Sequence, residues 1–200
     1  MKNEISKAER TRQLIIEKTA GIFNTKGYAG TSLSDLTDAT GLTKGSIYGN
    51  FENKEEVALA CFDYNLAKIN TAVQQLISEA GSFTDKLLVY TRAYHSMTGI
   101  EFPEGGCPIL NTAVDADDTN NLLKDRVAKA ILAWKKRLID LIKGGIEAGE
   151  FTADTHPEQL ALSLIALIEG GIMIAKATNS PNSLNKVLKT VEFLIRHQKS

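Results

Sequence analysis

Between Gly27 and Lys54 the chain reads GYAGTSLSDLTDATGLTKGSIYGNFENK, and its helix starts and stops crowd together so closely that only short helices joined by a tight turn satisfy them. Ser32 stands three residues before Asp35, so its hydroxyl caps a helix start while the carboxylate answers the same exposed amides. This predicts a helix opening at Leu33, carrying Leu33, Leu36 and Ala39 inward and stopping at Gly41, where a left-handed backbone costs nothing. Thr43 is the next natural N-cap, and Asn53, three residues before Glu56, opens a long helix. Two short helices around a glycine-bearing turn are the plan of a helix-turn-helix, whose second helix enters the major groove of DNA.

The face arithmetic of that second helix sharpens the expectation. At about 100° per residue, Ile47 and Phe51 fall on one side as core anchors, whereas Gly45 and Gly49 fall together on the opposite side. Lys44 and Tyr48 flank this bare strip on one edge, Ser46 and Asn50 on the other. Each glycine costs about 1 kcal/mol of helix propensity relative to alanine, and close approach of the backbone to DNA gives a reason for two. On this reading Asn50 or Ser46 reaches base edges, and Lys44 and Tyr48 reach phosphates. The structural alternative is a compact three-helix corner whose glycines let helices cross closely.

From Ile15 through Val57 the chain resembles the N-terminal domain of the TetR family of transcriptional regulators. The resemblance is carried by Ala20, Phe23, Gly27, Tyr28, Thr31, Ser32, Leu33, Gly41, Leu42, Thr43, Lys44, Gly45, Tyr48, Phe51, Lys54 and Glu55, a pattern specific through its length and order. It implies DNA contacts from Thr31, Ser32, Thr43, Lys44, Ser46, Tyr48 and Lys54; Gly45 and Asn50 complete the expected set. Two positions depart from the family pattern. Gly49 and Asn50 follow the tyrosine where a histidine or another sizeable residue is usual, and Thr37 stands where alanine is usual.

Composition agrees with an all-α chain. Hydrophobic residues make up 43% of the 200 and prolines number only four, enough for a sizeable core with few forced breaks, and no alternating strand pattern persists. Residues 1–54 hold eight Lys and Arg against six Asp and Glu, a balance of +2, whereas the whole chain stands at −1. The basic excess therefore lies in the expected reading head, and it is small enough that a dimer is needed to gather phosphate contacts. The polar N-terminus MKNEISKAER carries no apolar signal segment. The most apolar run, Leu160 to Ala175, falls short of the roughly 20 residues that span a bilayer. A cytoplasmic protein with no membrane partner is expected. Cys61 and Cys107 have no zinc-like spacing and are expected reduced.

The expected division is a DNA-binding domain over 1–53 and a helical ligand-binding and dimerisation bundle over 54–200. Helices are predicted from Lys54 to about Ala80, Phe83 to about Gly99, Leu122 to about Ala148, Thr155 to about Thr178, and Ser180 to about His197. Between the second and third of these lies GIEFPEGGCPIL, whose glycines and prolines forbid a continuous helix, and then the polar loop DADDTNN. In the last two helices Leu160, Leu164, Leu167, Ile168 and Ile172, then Val187, Val191 and Leu194, form broad apolar stripes. They either bury within the chain or, as the resemblance implies, make a four-helix dimer interface, with Gly170 and Gly171 allowing close approach.

No catalytic constellation is present. GLTKGS lacks the Gly-Lys-Ser order of a phosphate loop, there is no GxSxG or HExxH, and His95, His156 and His197 stand apart. No metal or other cofactor is indicated. Tyr90, Tyr94, His95, Phe102, Cys107, Asn111 and Trp134 combine aromatic bodies with polar tips, as a pocket between helices requires. The resemblance implies that a small-molecule inducer occupies such a pocket, and coupling of about 1–3 kcal/mol is typical of linkage of this kind. The expected function is a homodimeric repressor on a palindromic double-stranded DNA operator, released by an effector. One alternative is a redox- or electrophile-sensing repressor acting through Cys107. Another is a helical enzyme or lipid carrier with a vestigial helix-turn-helix.

Overall fold

The computed structural model of the chain describes residues 6–95 and 102–199, His95 by its backbone alone. Among them run α1 (Lys7–Gly30), α2 (Leu33–Thr40), α3 (Lys44–Tyr48), α4 (Lys54–Glu79), α5 (Phe83–His95), α6 (Pro108–Ala116), α7 (Asn121–Glu147), α8 (Pro157–Ala177) and α9 (Pro181–Arg196). The one β contact among the described residues is an isolated antiparallel bridge between Phe151 and Lys199. The all-α expectation holds.

The chain forms two compact units, Met1–Lys68 with Pro103–Val127, and Ile69–Phe102 with Ala128–Ser200. The division expected at residue 53 thus falls inside the first unit, to which the start of α4 and all of α6 belong. Helix α6 is the element that the sequence reading missed. Its Pro108, in a stretch whose glycines and prolines read as breakers, occupies the first turn, where a missing N–H costs nothing and a fixed φ is already helical.

The first unit is built on α1, α2 and the early part of α4. Ile15, Phe23, Leu36, Ile47, Phe51, Val57 and Cys61 form its core, joined by Ala116 and Leu123. Ser6 and Glu9 make a capping box at the start of α1. The helix is broken once, at Gly27, whose φ of 73° lies in the left-handed region.

The second unit gathers around Leu87, Leu88, Leu138, Ile142, Leu164, Ile168, Leu188 and Ile195. Helix α9 packs on both α5 and α8. Gly171 allows the α8–α9 approach, since a Cβ there would stand 3.0 Å from Leu184 Cδ1 and 3.2 Å from Val187 Cβ, whereas Gly170 faces open space. Leu160, Leu164, Ile168, Ile172 and Val191 are buried within the single chain. They are core residues rather than the free interface expected of them, because α8 and α9 turn their most regular apolar stripes toward each other and α5. Leu167, Val187 and Leu194 are half-buried. Helix α8 also exceeds the expected apolar run: at 21 residues it meets the length and composition of a membrane span, yet it packs against α9 inside this unit.

The N-terminus of α5 is closed by Glu150, whose carboxylate accepts the N–H groups of Phe83 and Thr84 at 2.9 Å each. The Thr84 amide, then the Phe83 amide and the Thr84 hydroxyl, holds its carboxyl below the usual range against the opposing effect of burial. Two successive glycines of α7 make room for rings: a Cβ at Gly144 would lie 2.3 Å from Phe83, and one at Gly145 2.2 Å from Phe151. Gly145→Ala is therefore expected to destabilise the protein by about 1–3 kcal/mol, read as an earlier urea midpoint with an unchanged slope.

Candidate nucleic-acid interface

The reading head is assembled from caps. Ser32 and Asp35 form the reciprocal capping box that opens α2, and Gly41, at φ 69°, ends it with its N–H donating to the Thr37 carbonyl. Thr43 Oγ1 accepts the Ser46 N–H at 3.2 Å and opens α3. Lys26, then Ser32, holds the Asp35 carboxyl far below the ordinary carboxylate range, with Lys26 Nζ 2.6 Å from Oδ1. Leu36 and Ile47 anchor the two short helices in the core. Helix α3 has only five residues, so Phe51 anchors the segment after it, and Gly49 caps the helix instead of lying within it.

The exposed side of α3 presents Thr43, Lys44 and Gly45, with Ser46, Tyr48 and Asn50 half-buried at its margins. A Cβ at Gly45 would meet nothing closer than Thr43 Oγ1 at 3.9 Å, so the fold itself does not require glycine there. Asn50 Nδ2 donates to the Ser46 carbonyl at 2.8 Å, which ties the amide back to its own helix. Ser32 is exposed with its hydroxyl engaged by Asp35. Thr31 is 1% exposed and donates to the Gly27 carbonyl at 2.6 Å; it holds the α1–α2 corner from inside instead of facing outward. Lys54 Nζ donates to the carbonyls of Tyr28 and Thr31, both at 2.9 Å, and lies 4.3 Å from the centre of the Tyr28 ring. Two of its three protons are thereby committed to the main chain.

Sequence reasoning missed Arg12. From α1 it donates to the Asn50 carbonyl just past α3, pairs with Glu56 at 2.6 Å, and stacks its guanidinium 3.9 Å from the Phe51 ring centre. Such a pair, more than a third exposed, adds little stability, but it fixes where α3 ends. Only contact between residues 38 apart in sequence shows this, and no local pattern announces it.

Residues 15–61 match the family model for bacterial regulatory proteins of the tetR family, and residues 84–191 match the tetracyclin repressor-like C-terminal domain. The chain belongs to the TetR family of transcriptional regulators. It is 50% identical to a TetR family regulator from Cytophaga hutchinsonii, whose crystal structure it matches with a TM-score of 0.95 over 98% of both chains. A TetR regulator from Chloroflexus aurantiacus J-10-FL is 35% identical, with a TM-score of 0.91 and 98% of both chains covered. The HTH-type transcriptional repressor DhaR of Mycobacterium sp. (strain GP1) is 28% identical over 90% of this chain and 89% of that one. This TetR family protein is thus a DNA-binding helix-turn-helix regulator of the repressor kind.

The expected sensor residues divide between the two units. Tyr90, Tyr94 and Trp134 stack in the second, with ring centres 6.0 Å apart for Tyr90–Trp134 and 6.2 Å for Tyr94–Trp134, and Phe102 tilts on Tyr94 at 5.0 Å. Among the described residues Trp134 Nε1 is buried without a hydrogen-bond partner, and the Tyr90 hydroxyl has the Arg137 guanidinium beside it. Burial pushes the Tyr90 phenol up, opposed by the Arg137 guanidinium. The side chain of His95 lies outside the described residues. Cys107 and Asn111 belong to the first unit. Asn111 there lines a cavity of about 20 Å³ together with Asn24, Tyr28, Asn65 and Asp115, room for little more than a water molecule.

Both cysteines are buried, Cys61 at 0% and Cys107 at 1% exposure. Burial raises the Cys61 thiol to about 12, with a Thr19 hydrogen bond opposing. The reachable thiol expected at Cys107 is not formed, because the residue sits at the N-cap of α6, turned into the fold. Ellman's reagent added to native protein should therefore find no fast thiol, and should find both after unfolding in guanidinium; rapid labelling of Cys107 in the native state would reinstate a thiol sensor.

Proposed function

We propose that this TetR family protein works in the cytoplasm as a homodimeric repressor, binding a near-palindromic operator through two helix-turn-helix heads and releasing it when a small molecule enters the aromatic cluster of the second unit. The observation that carries the DNA-reading half is α3 itself. Its Gly45 is exposed and faces no neighbour that requires glycine, so the bare surface is explained by something that approaches the helix from outside. Thr43, Lys44, Ser46, Tyr48, Asn50 and Ser32 surround it as the set from which base and phosphate contacts are drawn.

The effector half rests on Tyr90 and Trp134. Buried donors are nearly always paired in native proteins, and the indole N–H of Trp134, with no partner among the described residues and set in a stack of rings, suits a ligand that brings a flat body and an acceptor. Selection of the DNA-incompetent form by such a ligand requires about a 100-fold preference to relieve repression by a comparable factor.

The dimer half rests on the other faces of the last two helices. Leu162, Met173 and Ile174 of α8 and Phe193 of α9 are 46%, 54%, 42% and 61% exposed, large apolar residues left uncovered by their own chain. Leu162 and Met173 stand 11 residues apart, three helical turns, and so share a face. Of the residues first expected at this interface, Leu160, Leu164, Ile168, Ile172 and Val191 are already buried inside their own chain.

Two experiments test these halves. Wild-type protein should enrich a palindromic duplex from a randomised pool, and Gly45→Leu should bind that duplex at least about tenfold more weakly while Gly45→Ala melts no lower than wild type. Equal binding by Gly45→Leu would remove α3 from the interface. In sedimentation, Met173→Glu with Phe193→Glu is expected to give a folded monomer, whereas Leu164→Asp should lose the helical fold itself. A double variant that stays dimeric would place the contact elsewhere.

A further inference from the structure

Helix α1 breaks at Gly27, and two side chains of α6 serve main-chain groups on either side of the break. In an unbroken helix the Tyr28 N–H would donate to the Asn24 carbonyl, four residues back. Gly27, at φ 73° and ψ 175°, turns the chain out of the helix and separates that pair. Tyr28 N–H donates instead to Asp115 Oδ2 at 2.6 Å, and the Asn24 carbonyl accepts from Asn111 Nδ2 at 3.0 Å. Asn111 and Asp115 are four residues apart on α6, hence on one face of it. An amide answers the orphaned carbonyl and a carboxylate answers the orphaned N–H.

The surroundings fit this splice closely. Asn24 Nδ2 donates to the carbonyls of Glu104 and Gly106 at 2.7 and 2.9 Å, and Asn111 Nδ2 also donates to Gly105 at 2.9 Å. The loop leading into α6 is thereby pinned to the same turn of α1. No side chain has room in the notch: a Cβ at Gly27 would stand 2.5 Å from Asp115 Oδ1, and one at Gly105 2.9 Å from the Asn24 carbonyl oxygen.

The turn that follows carries the reading head. Thr31 donates to the Gly27 carbonyl, and Lys54 donates to the carbonyls of Tyr28 and Thr31. Ser32, the next residue, is the N-cap of α2. Residues 28–31 are therefore held from α6 through an N–H and from α4 through two carbonyls, and the direction in which α2 and α3 set out is decided there.

We propose that Asn111 and Asp115 are positioning residues for DNA binding: from α6 they fix the angle at which α1 hands the chain to the helix-turn-helix, without touching DNA themselves. The test uses the full-length protein and the duplex enriched by wild type. Asp115→Ala is expected to weaken binding about tenfold, the worth of one hydrogen bond from a partly buried main-chain N–H to a carboxylate. Asp115→Asn makes the same change of charge but keeps an oxygen that accepts from Tyr28, so it should bind within about threefold of wild type. Two readouts separate positioning from plain loss of stability or loss of a phosphate contact. Amide exchange at Tyr28 should speed up in Asp115→Ala and not in Asp115→Asn, and the salt dependence of binding should keep its slope in both. Should Asp115→Ala fail to fold, Gly27→Ala combined with Asp115→Ala removes both the break and the group that serves it; this double variant is expected to stay helical and to bind the duplex at least about tenfold more weakly. Wild-type affinity in Asp115→Ala with faster Tyr28 exchange, or wild-type affinity in the double variant, overturns the inference. A wild-type protein that enriches no duplex overturns the assignment of α3 as the reading helix instead.

Discussion

A helix that breaks inside a protein leaves main-chain groups that water can no longer reach, and each one left unanswered costs about 1–3 kcal/mol. Helix α1 breaks at Gly27, and the first unit is arranged around that debt. The Tyr28 amide goes to Asp115, the Asn24 carbonyl to Asn111, the Gly27 carbonyl to Thr31, and the Tyr28 and Thr31 carbonyls to Lys54. Two distant stretches of chain, in α4 and α6, converge on this turn of α1, because all but the Gly27 carbonyl among these groups have no local partner. The convergence explains why α6, encoded beyond residue 100, belongs to the same compact unit as the helix-turn-helix.

What could be read from the sequence follows the range of the forces involved. Caps act over three or four residues, so Ser32 with Asp35, Thr43 and Asn53 placed the starts of α2, α3 and α4 to within a residue. The family resemblance supplied the two-part plan that the comparisons bear out. Long-range decisions were not legible. Pro108 looks the same to a sequence reader whether it stops a helix or starts one, so α6 was lost. Thr31 and Lys54 are expected at DNA because the family resemblance implies it, and the carbonyls that Lys54 holds lie 26 and 23 residues away in sequence. Leu164 and Ile168 looked equally suited to a core or to an interface, and only the placement of α5 and α9 around α8 decides between them.

The second unit shows a different economy, in which small residues admit large ones. Gly144 and Gly145 give their side-chain space to Phe83 and Phe151, and Gly171 gives its own to Leu184 and Val187. Close packing of this kind makes the interior intolerant of even one added carbon, and it leaves Leu162, Met173 and Phe193 without inward space. Their exposure marks the outward faces of α8 and α9, away from that filled core. The stacked Tyr90, Tyr94 and Trp134 form the counterexample: buried, aromatic, yet with the Trp134 N–H unmet among the described residues.

Charge arithmetic then constrains how such a head can hold DNA. Of its eight cationic side chains, Arg12 is engaged by Glu56 and the Asn50 carbonyl, Lys26 by Asp35, and Lys54 by two carbonyls. Lys44 is the cation that α3 itself exposes. Each phosphate neutralised adds only about 0.9 to the slope of log affinity against log salt, so one head with few available cations makes a shallow, weak, nonspecific complex. Tying two heads together raises the effective concentration of the second to about the millimolar range, but only if both meet their half-sites at once, about 34 Å apart on one face of the duplex. Binding by this protein has to come from fit more than from charge. Fit depends on the direction in which α2 and α3 leave α1, and that direction is set at the Gly27 corner, where α4 and α6 meet the broken helix.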